Sequence, residues 1–108
     1  MQSALNRIRQ ALLTVTDKVY HYHAWEQSDQ YIVWAEDNEY NSVEANNRKT
    51  QQTIEGTIDY FTKTEDDPLV DEIQGALNDA EISFRLNLVQ YEDETEYIHY
   101  EWVWQVAA

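Results

Sequence analysis

The chain has 108 residues, no cysteine, and 21 acidic residues against 7 basic ones, which gives a formal net charge of −14. The length suits a single domain spanning residues 1–108, and a hydrophobic fraction of 43% is enough to build one core. The composition excludes disulfides and thiolate metal sites, and the negative charge disfavours nucleic-acid binding, which draws its affinity from Lys and Arg.

The first third of the chain is predicted to form a helix and two strands. Ser3 can cap a helix that runs to about Thr16, with one apolar stripe at steps of three and four: Ala4, Leu5, Ile8, Ala11, Leu12 and Val15. Residues 18–25, KVYHYHAW, predict a first strand, and residues 31–35, YIVWA, predict a second. Antiparallel pairing is the simplest connection between them.

Residues 36–52, EDNEYNSVEANNRKTQQ, are rich in asparagine and show no sustained period. They predict a long flexible loop. Loops of this length in a compact domain are often binding elements, and the alternative is a surface excursion without a role.

The rest of the chain predicts a strand, a helix and a terminal hairpin. Residues 53–60 alternate between apolar and polar, and Asp67 and Pro68 form the expected start of a second helix. Residues 82–88 and 97–106 alternate again. In the last strand one set of side chains shares a side: Ile98, Tyr100, Trp102, Trp104 and Val106. We therefore predict an α+β fold with two helices on one face of a four- to five-stranded, mostly antiparallel sheet.

The two glycines, Gly56 and Gly75, are interpreted as structural. Gly56 interrupts a strand, which indicates a bulge or close packing against an aromatic ring. Gly75 lies inside the second helix, where it would allow the sheet to approach closely.

The three histidines raise the question of a metal site. On one strand His21 and His23 would share a side and could bind zinc if His99 came from a neighbouring strand. The alternation of the last strand instead places His99 on the solvent side, and widely separated histidines lack the short spacing of metal motifs. We predict that the histidines lie on solvent-exposed strand faces or at an edge of the sheet, and that none is a metal ligand.

No other chemistry is indicated by the motifs. Nucleophile-elbow and phosphate-loop glycine patterns are absent from the sequence. We therefore predict no catalytic residue, no cofactor and no enzymatic activity. The four tryptophans and eight tyrosines exceed what one core of this size hides, so that some rings either contact a partner or cap the ends of the sheet.

The order of elements and four sequence segments resemble those of a known family. The segments are KVYHYHA, YIVWAED, GTIDYFTKTEDDPLVDEIQGALNDAEISFRLN and YIHYEWVW. The chain resembles small tail proteins of tailed phages and prophages, namely the tail terminator or tail completion proteins, also labelled head-tail joining or minor capsid proteins. The resemblance covers nearly the whole chain. It implies a structural virion protein that joins a ring, often a hexamer, at the tail end or the head-tail junction.

The resemblance also implies partners and a location. The partners would be further copies of the chain and the tail-tube and connector proteins, with a loop at 36–52 that orders on assembly. The candidate interface residues in it are Tyr40, Arg48, Lys49 and Gln51. The location would be the virion tail or neck, after assembly in the bacterial cytoplasm. No apolar run is long enough for a membrane span and the start lacks a signal-peptide pattern, so neither membrane nor secretion is expected.

The same charge of −14 also fits a different class, an acidic mimic of DNA that inhibits a host nucleic-acid-binding enzyme. Such mimicry needs carboxylates spaced like phosphates. Both predicted helices carry mixed polar faces rather than a regular stripe of carboxylates, so we rank this alternative below the structural role.

Overall fold

The computed structural model describes the backbone of residues 2–43 and 49–107 and the side chains of residues 2–39 and 52–107. The elements follow the chain in this order: α1 (Gln2–Leu13), β1 (Val19–His21), β2 (Gln30–Val43), β3 (Lys49–Thr62), α2 (Leu69–Asp79), β4 (Ser83–Glu92) and β5 (Tyr97–Ala107). The strands form a five-stranded sheet in the order β1-β2-β3-β5-β4. Every pairing in it is antiparallel except that of β1 with β2, so the predicted α+β class is confirmed.

Both helices pack on the same face of the sheet, as predicted. Their apolar stripes and one set of strand side chains form a single core: Ala4, Leu5, Ile8, Ala11, Leu12, Ile32, Trp34, Ile54, Ile58, Tyr60, Ile73, Leu77, Ile82, Trp102, Trp104 and Val106. The buried tryptophans keep polar partners, since Trp102 Nε1 donates to Gln74 Oε1 at 3.0 Å and Trp104 Nε1 donates to the Thr57 carbonyl at 3.0 Å. We call this side of the sheet the helix face and the other side the open face.

Asp67 is a buried carboxylate that joins the start of α2 to the sheet. Its Oδ1 accepts the Leu69 N–H, which confirms the predicted cap, and its Oδ2 accepts hydrogen bonds from Gln30, Tyr60 and Thr62. Burial raises the pKa of Asp67, but these hydrogen bonds outweigh it and the pKa is lowered overall. The carboxylate is therefore ionised and satisfied, as a buried charge must be.

The antiparallel pairing predicted for the first two strands is wrong. β1 pairs with β2 in parallel, with Val19 opposite Ile32 and His21 opposite Trp34. The chain leaves β1 at Tyr22, which has a φ of 75°, and residues 22–29 run back along the sheet before β2 begins. A parallel pair needs such a return crossing, and the turn-like polar residues of this segment belong to it rather than to a hairpin.

The long loop predicted at 36–52 is largely strand. β2 continues to Val43 and β3 begins at Lys49, so the two form one long hairpin whose residues 44–48 lie outside the described backbone. The strand character is hidden in the sequence, and among the described side chains of this stretch Asp37, Asn38 and Glu39 are exposed. Without a buried face there is no apolar alternation to read.

The helix boundaries are close to the predicted ones at α2 and less so at α1. α1 includes Gln2 before the proposed cap Ser3, and it ends at Leu13 rather than Thr16. Beyond Leu13 the chain makes a short turn, in which the Thr14 N–H donates to the Ala11 carbonyl at 3.2 Å. The last residues of a helix are the least specified by local sequence.

The two glycines behave differently. A Cβ on Gly56 would lie 2.0 Å from the Ala35 carbonyl oxygen and 2.5 Å from Trp104 Cζ2, and the register of β2 shifts beside it between Glu36 and Asn38. The predicted bulge and aromatic contact are therefore confirmed. The role predicted for Gly75 is wrong, because that residue is exposed and a Cβ there would meet no atom within 4 Å.

Candidate interaction surfaces

The three histidines occupy different places and do not converge. Directly paired residues of a sheet share a face, so His21, opposite Trp34, lies on the helix face, while His99, opposite Phe61, lies on the open face. His23 follows the end of β1 and is not part of a strand, so the expected common side for His21 and His23 is wrong.

His21 is part of a ring stack at the β1 edge. Its imidazole lies between the rings of Tyr22 and Trp34, with centroid distances of 3.9 and 4.0 Å, and its Nε2 is 2.7 Å from Glu36 Oε1. The hydroxyl of Tyr22 donates to the other oxygen of Glu36. Burial raises the pKa of Glu36, but the hydrogen bonds from Tyr22 and His21 outweigh it and lower the pKa. His21, Tyr22, Trp34 and Glu36 therefore contact one another as a structural cluster.

His99 lies among three carboxylates on the open face. Its Nε2 is 2.6 Å from Asp59 Oδ1 on β3, and its Nδ1 is 3.7 Å from Glu92 Oε2 on β4. The hydrogen bond with Asp59 raises the pKa of His99; partial burial opposes this shift, and the charges of Asp59, Glu92 and Glu101 reinforce it. The imidazolium thereby links three neighbouring strands.

Asp59, His99 and Glu101 also offer ligand atoms that lie within 4.8 Å of one another. Carboxylate and imidazole are both ligands that zinc accepts. A metal would have to replace the proton between His99 and Asp59, because a ligating imidazole is neutral. The contacts present are those of an ion pair that crosses the strands.

A row of rings crosses the open face. Tyr31 stacks on Phe61 with centroids 4.9 Å apart, and Phe61 stacks on His99 at 4.4 Å. Tyr97 meets Tyr31 and Phe61 edge-on, and its hydroxyl donates a 2.6 Å hydrogen bond to the Ser28 carbonyl. Residues 22–29, which we call the cover loop, are thereby held over the sheet, and Tyr31 and Tyr97 are buried beneath them.

A small pocket lies between the cover loop and the sheet. Its volume is about 200 Å³, and its lining includes His23 from the loop and Tyr31, Asp59 and Phe61 from the strands. Burial raises the pKa of Tyr31 to about 12, so its hydroxyl stays protonated. Beside the pocket Trp25 is 78% exposed and packs on His23 at a centroid distance of 4.3 Å.

Of the four tryptophans, Trp25 alone is exposed, while Trp34, Trp102 and Trp104 are at most 1% exposed. The core therefore hides more of the large rings than their number suggested. Neither the cover loop nor its exposed ring was predicted. The signal available in the sequence was a tryptophan within a polar segment, AWEQSD.

The second unusual surface is the end strand β4. Leu86, Val89 and Tyr91 are 46%, 53% and 56% exposed, and they pair with Trp102, Tyr100 and Ile98 on the helix face. We call these three side chains the β4 patch. The register shifts between Leu86 and Leu88, so that Leu88 points to the open face instead.

The backbone of β4 adds to this surface. As the last strand in the order, β4 has one edge without a partner strand among the described residues. Its residues 86–91, LNLVQY, include no Pro, Lys or Arg that would discourage pairing with another chain. The sequence predicted a strand here. Leu86 is exposed although it lies on the helix face, because the core reaches only to Ile82, just before β4, and to Phe84 near its start.

Three of the four residues predicted as an interface lie in the strands of the β2–β3 hairpin. Tyr40 is in β2 and Lys49 and Gln51 are in β3, while Arg48 lies outside the described backbone. The side chains of all four are outside the described part of the chain. They remain a prediction.

Comparison with protein-family models and with curated proteins finds no match to this chain. Among the described residues, neither helix combines the length and the apolar character that a bilayer span requires. The surfaces above are therefore the basis on which a function is proposed.

Proposed function

We propose that the protein is a structural component of a phage tail or neck, which assembles as a ring at the tail end or head-tail junction. The virion is then its final location, and the bacterial cytoplasm is the place of assembly. Within that role it acts by contact rather than by catalysis.

The observation that carries the proposal is the exposed end strand β4. A sheet edge with free backbone groups is a template for another strand, and folded proteins usually protect it with charge, proline or a cover. Here the edge strand runs over Ser83–Glu92, and its stretch 86–91, between Arg85 and Glu92, carries no charge and includes the three apolar side chains of the β4 patch. Association with a second chain would bury both the backbone edge and the apolar side chains.

A ring uses two different surfaces of each copy, so the surface that receives β4 must lie elsewhere on the molecule. The long β2–β3 hairpin and the short strand β1, at the opposite end of the sheet, are the available elements. The predicted residues Tyr40, Lys49 and Gln51 belong to the strands of this hairpin, and Arg48 precedes Lys49 in the sequence. Arg48 and Lys49 would then meet the acidic surface of the neighbouring copy.

The net charge of −14 is compatible with a ring through which DNA passes. Carboxylates do not release the counterions of phosphate, so an acidic lumen offers DNA no binding energy. DNA would slide without adhering, as a tail or neck passage requires.

The test measures the mass of the particles in solution by sedimentation velocity over a wide range of protein concentration. We expect discrete larger species at high concentration or upon addition of phage tail-tube or connector proteins. Leu86→Lys with Val89→Lys places two charges on the β4 patch and should remove these species.

The control is Gln10→Lys with Asn78→Lys, which makes the same charge change at exposed helix positions. Both double variants should unfold at nearly the same temperature as the native chain. A native chain that stays monomeric and ignores tail-tube and connector proteins would contradict the proposal. Capture of restriction or repair enzymes instead would favour the DNA-mimic alternative.

A further inference from the structure

The pocket under the cover loop has the size of one side chain. Its volume is about 200 Å³. Pockets for drug-sized ligands usually span roughly 300–1,000 Å³, so this one is too small for such a molecule and suits the end of a single long side chain. It lies on the open face, opposite the face that carries the β4 patch.

The walls of the pocket combine apolar surface with one carboxylate. Tyr31, Val33, Phe61 and Ala24 supply rings and aliphatic groups, and Asp59 supplies the acid. A side chain with an apolar stem and a charged head matches this combination, because the stem contacts the walls while the head meets the acid. Lys and Arg are the two residue types that combine an apolar stem with a positively charged head.

The charges around the pocket also favour the binding of a basic side chain. Asp59 lies directly opposite Glu101 in the β3–β5 register, and like charges opposite each other destabilise a sheet. Glu92 is a third carboxylate around His99. The single charge of the His99 imidazolium offsets one of these three acids, so the cluster keeps an excess of negative charge that a second cation would relieve.

The position of Asp59 allows a second contact. Its side chain is 20% exposed although Oδ1 is hydrogen bonded to His99. The exposed Trp25 and His23 stand at the same loop and offer contact area around the entrance, as aromatic residues commonly do in protein interfaces.

We infer that the pocket between the cover loop and Asp59 binds a basic side chain, arginine or lysine, that a partner protein presents to the open face. The ring proposed above is not required for this contact, since the pocket and the β4 patch lie on opposite faces of the sheet. A partner with a basic loop would dock here whether or not the chain has assembled.

The probe is N-acetylarginine amide, and its control is N-acetylcitrulline amide, which has nearly the same shape without the charge. Both are titrated into isotope-labelled protein at the same pH and salt concentration. The chain with Leu86→Lys and Val89→Lys is used alongside the native chain, so that self-association does not affect the result.

We expect saturable NMR shifts in the cover loop, including the Trp25 indole, and in β3 near Asp59. The dissociation constant should be on the order of 10 mM or tighter, and about ten-fold weaker for the citrulline probe. Asp59→Asn should weaken arginine binding about ten-fold, whereas Asp71→Asn, an exposed acid on α2, should leave it unchanged.

Phe61→Leu provides a second arm that keeps Asp59 and its charge. It removes one ring from the wall and should weaken both probes. Three results would overturn the inference: equal shifts with arginine and citrulline, shifts that lie outside the cover loop and β3, or equal losses for Asp59→Asn and Asp71→Asn. None of them bears on the sedimentation result, so the two proposals can fail separately.

Discussion

At the residue scale, Gly56 lies where β3 passes between the backbone of β2 and the ring of Trp104. A Cβ would lie 2.0 Å from the Ala35 carbonyl oxygen, and a backbone atom cannot move aside as a flexible side chain can. Gly56→Ala should therefore lower the free energy of unfolding by about 3 kcal/mol. Urea denaturation followed by tryptophan fluorescence measures this change.

Gly75→Ala is the matched control for that substitution. The same methyl group is added at an exposed helical position with no atom within 4 Å, so the helix gains propensity without a clash. We expect stabilisation of about 1 kcal/mol. Equal effects of the two substitutions would contradict the packing described at Gly56.

His99 makes stability depend on pH. Its pKa is raised, first by the hydrogen bond to Asp59, so the folded state holds the proton more tightly than the unfolded state. The stabilisation is complete below about pH 6.5, the ordinary histidine value, and is lost as the pH rises through the higher folded pKa. The groups that face the ring are Asp59, Glu92 and Glu101.

Two measurements check this prediction. NMR titration of the His99 ring should give a pKa above that of a histidine in a model peptide. Urea denaturation should show stability falling as the pH rises above about 6.5 in the native chain and falling less in His99→Gln. A lowered pKa for His99, or the same pH dependence in His99→Gln, would contradict the ion pair.

At the element scale, α2 ends in a motif that usually contains glycine. The Ile82 N–H donates to the Leu77 carbonyl at 2.9 Å and the Glu81 N–H donates to the Asn78 carbonyl at 3.0 Å, which is the Schellman pattern. Glu81 occupies the left-handed position with a φ of 58°. The Arg7 guanidinium donates to the carbonyls of Ala80 and Glu81 and so supports the same helix end.

Glu81→Gly should therefore stabilise the chain by about 0.5–1 kcal/mol, because relief of the left-handed strain exceeds the added entropy of the unfolded chain. Thermal unfolding measures the change. Glu72→Gly is the control, since it lies inside α2 in an ordinary helical position and should destabilise by about 1 kcal/mol. If Glu81→Gly instead lowers stability, the left-handed conformation of Glu81 costs less than the entropy that glycine adds to the unfolded chain.

The elements differ in how far the sequence predicts them, for physical reasons. α2 and the last strand carry local signals: a cap with proline, and an alternation that continues over the length of β5. β1 carries none that reveals its direction, because parallel pairing depends on the path of residues 22–29 across the sheet. The strands within 36–52 were not predicted because their sequence carries no apolar alternation, and the described residues 37–39 are exposed.

The surfaces were predicted less well than the fold. Leu86 and Leu88 alternate with polar residues like core positions. Leu86 is exposed because α2 does not extend over it, and Leu88 lies on the open face because the register shifts between the two. The pocket depends on a contact between residues distant in sequence, Tyr97 and Ser28, which no periodicity reports. The alternation of β5 correctly placed His99 on the side of the strand away from the core, but the expected solvent exposure is mostly lost, since the side chain is 16% exposed.

At the scale of the whole molecule, the charge of −14 opposes any association between copies. The repulsion acts across exposed surfaces and is screened over about 10 Å at 0.1 M salt, while the apolar contact at the β4 patch is not weakened. Self-association should therefore increase with salt. Light scattering from about 0.05 to 0.5 M NaCl measures this self-association. If association instead weakens as the salt concentration rises, the contact depends on charge attraction to a basic surface.

The central claim is that copies of the chain meet at the edge of β4. Hydrogen exchange of the β4 backbone tests this claim most directly. Residues 83–92 should exchange more slowly at high protein concentration and high salt than in dilute protein at low salt. The Leu86→Lys with Val89→Lys variant should show no such slowing. If larger particles form while exchange in β4 stays as fast as in the monomer, the edge is not the contact and the account is wrong.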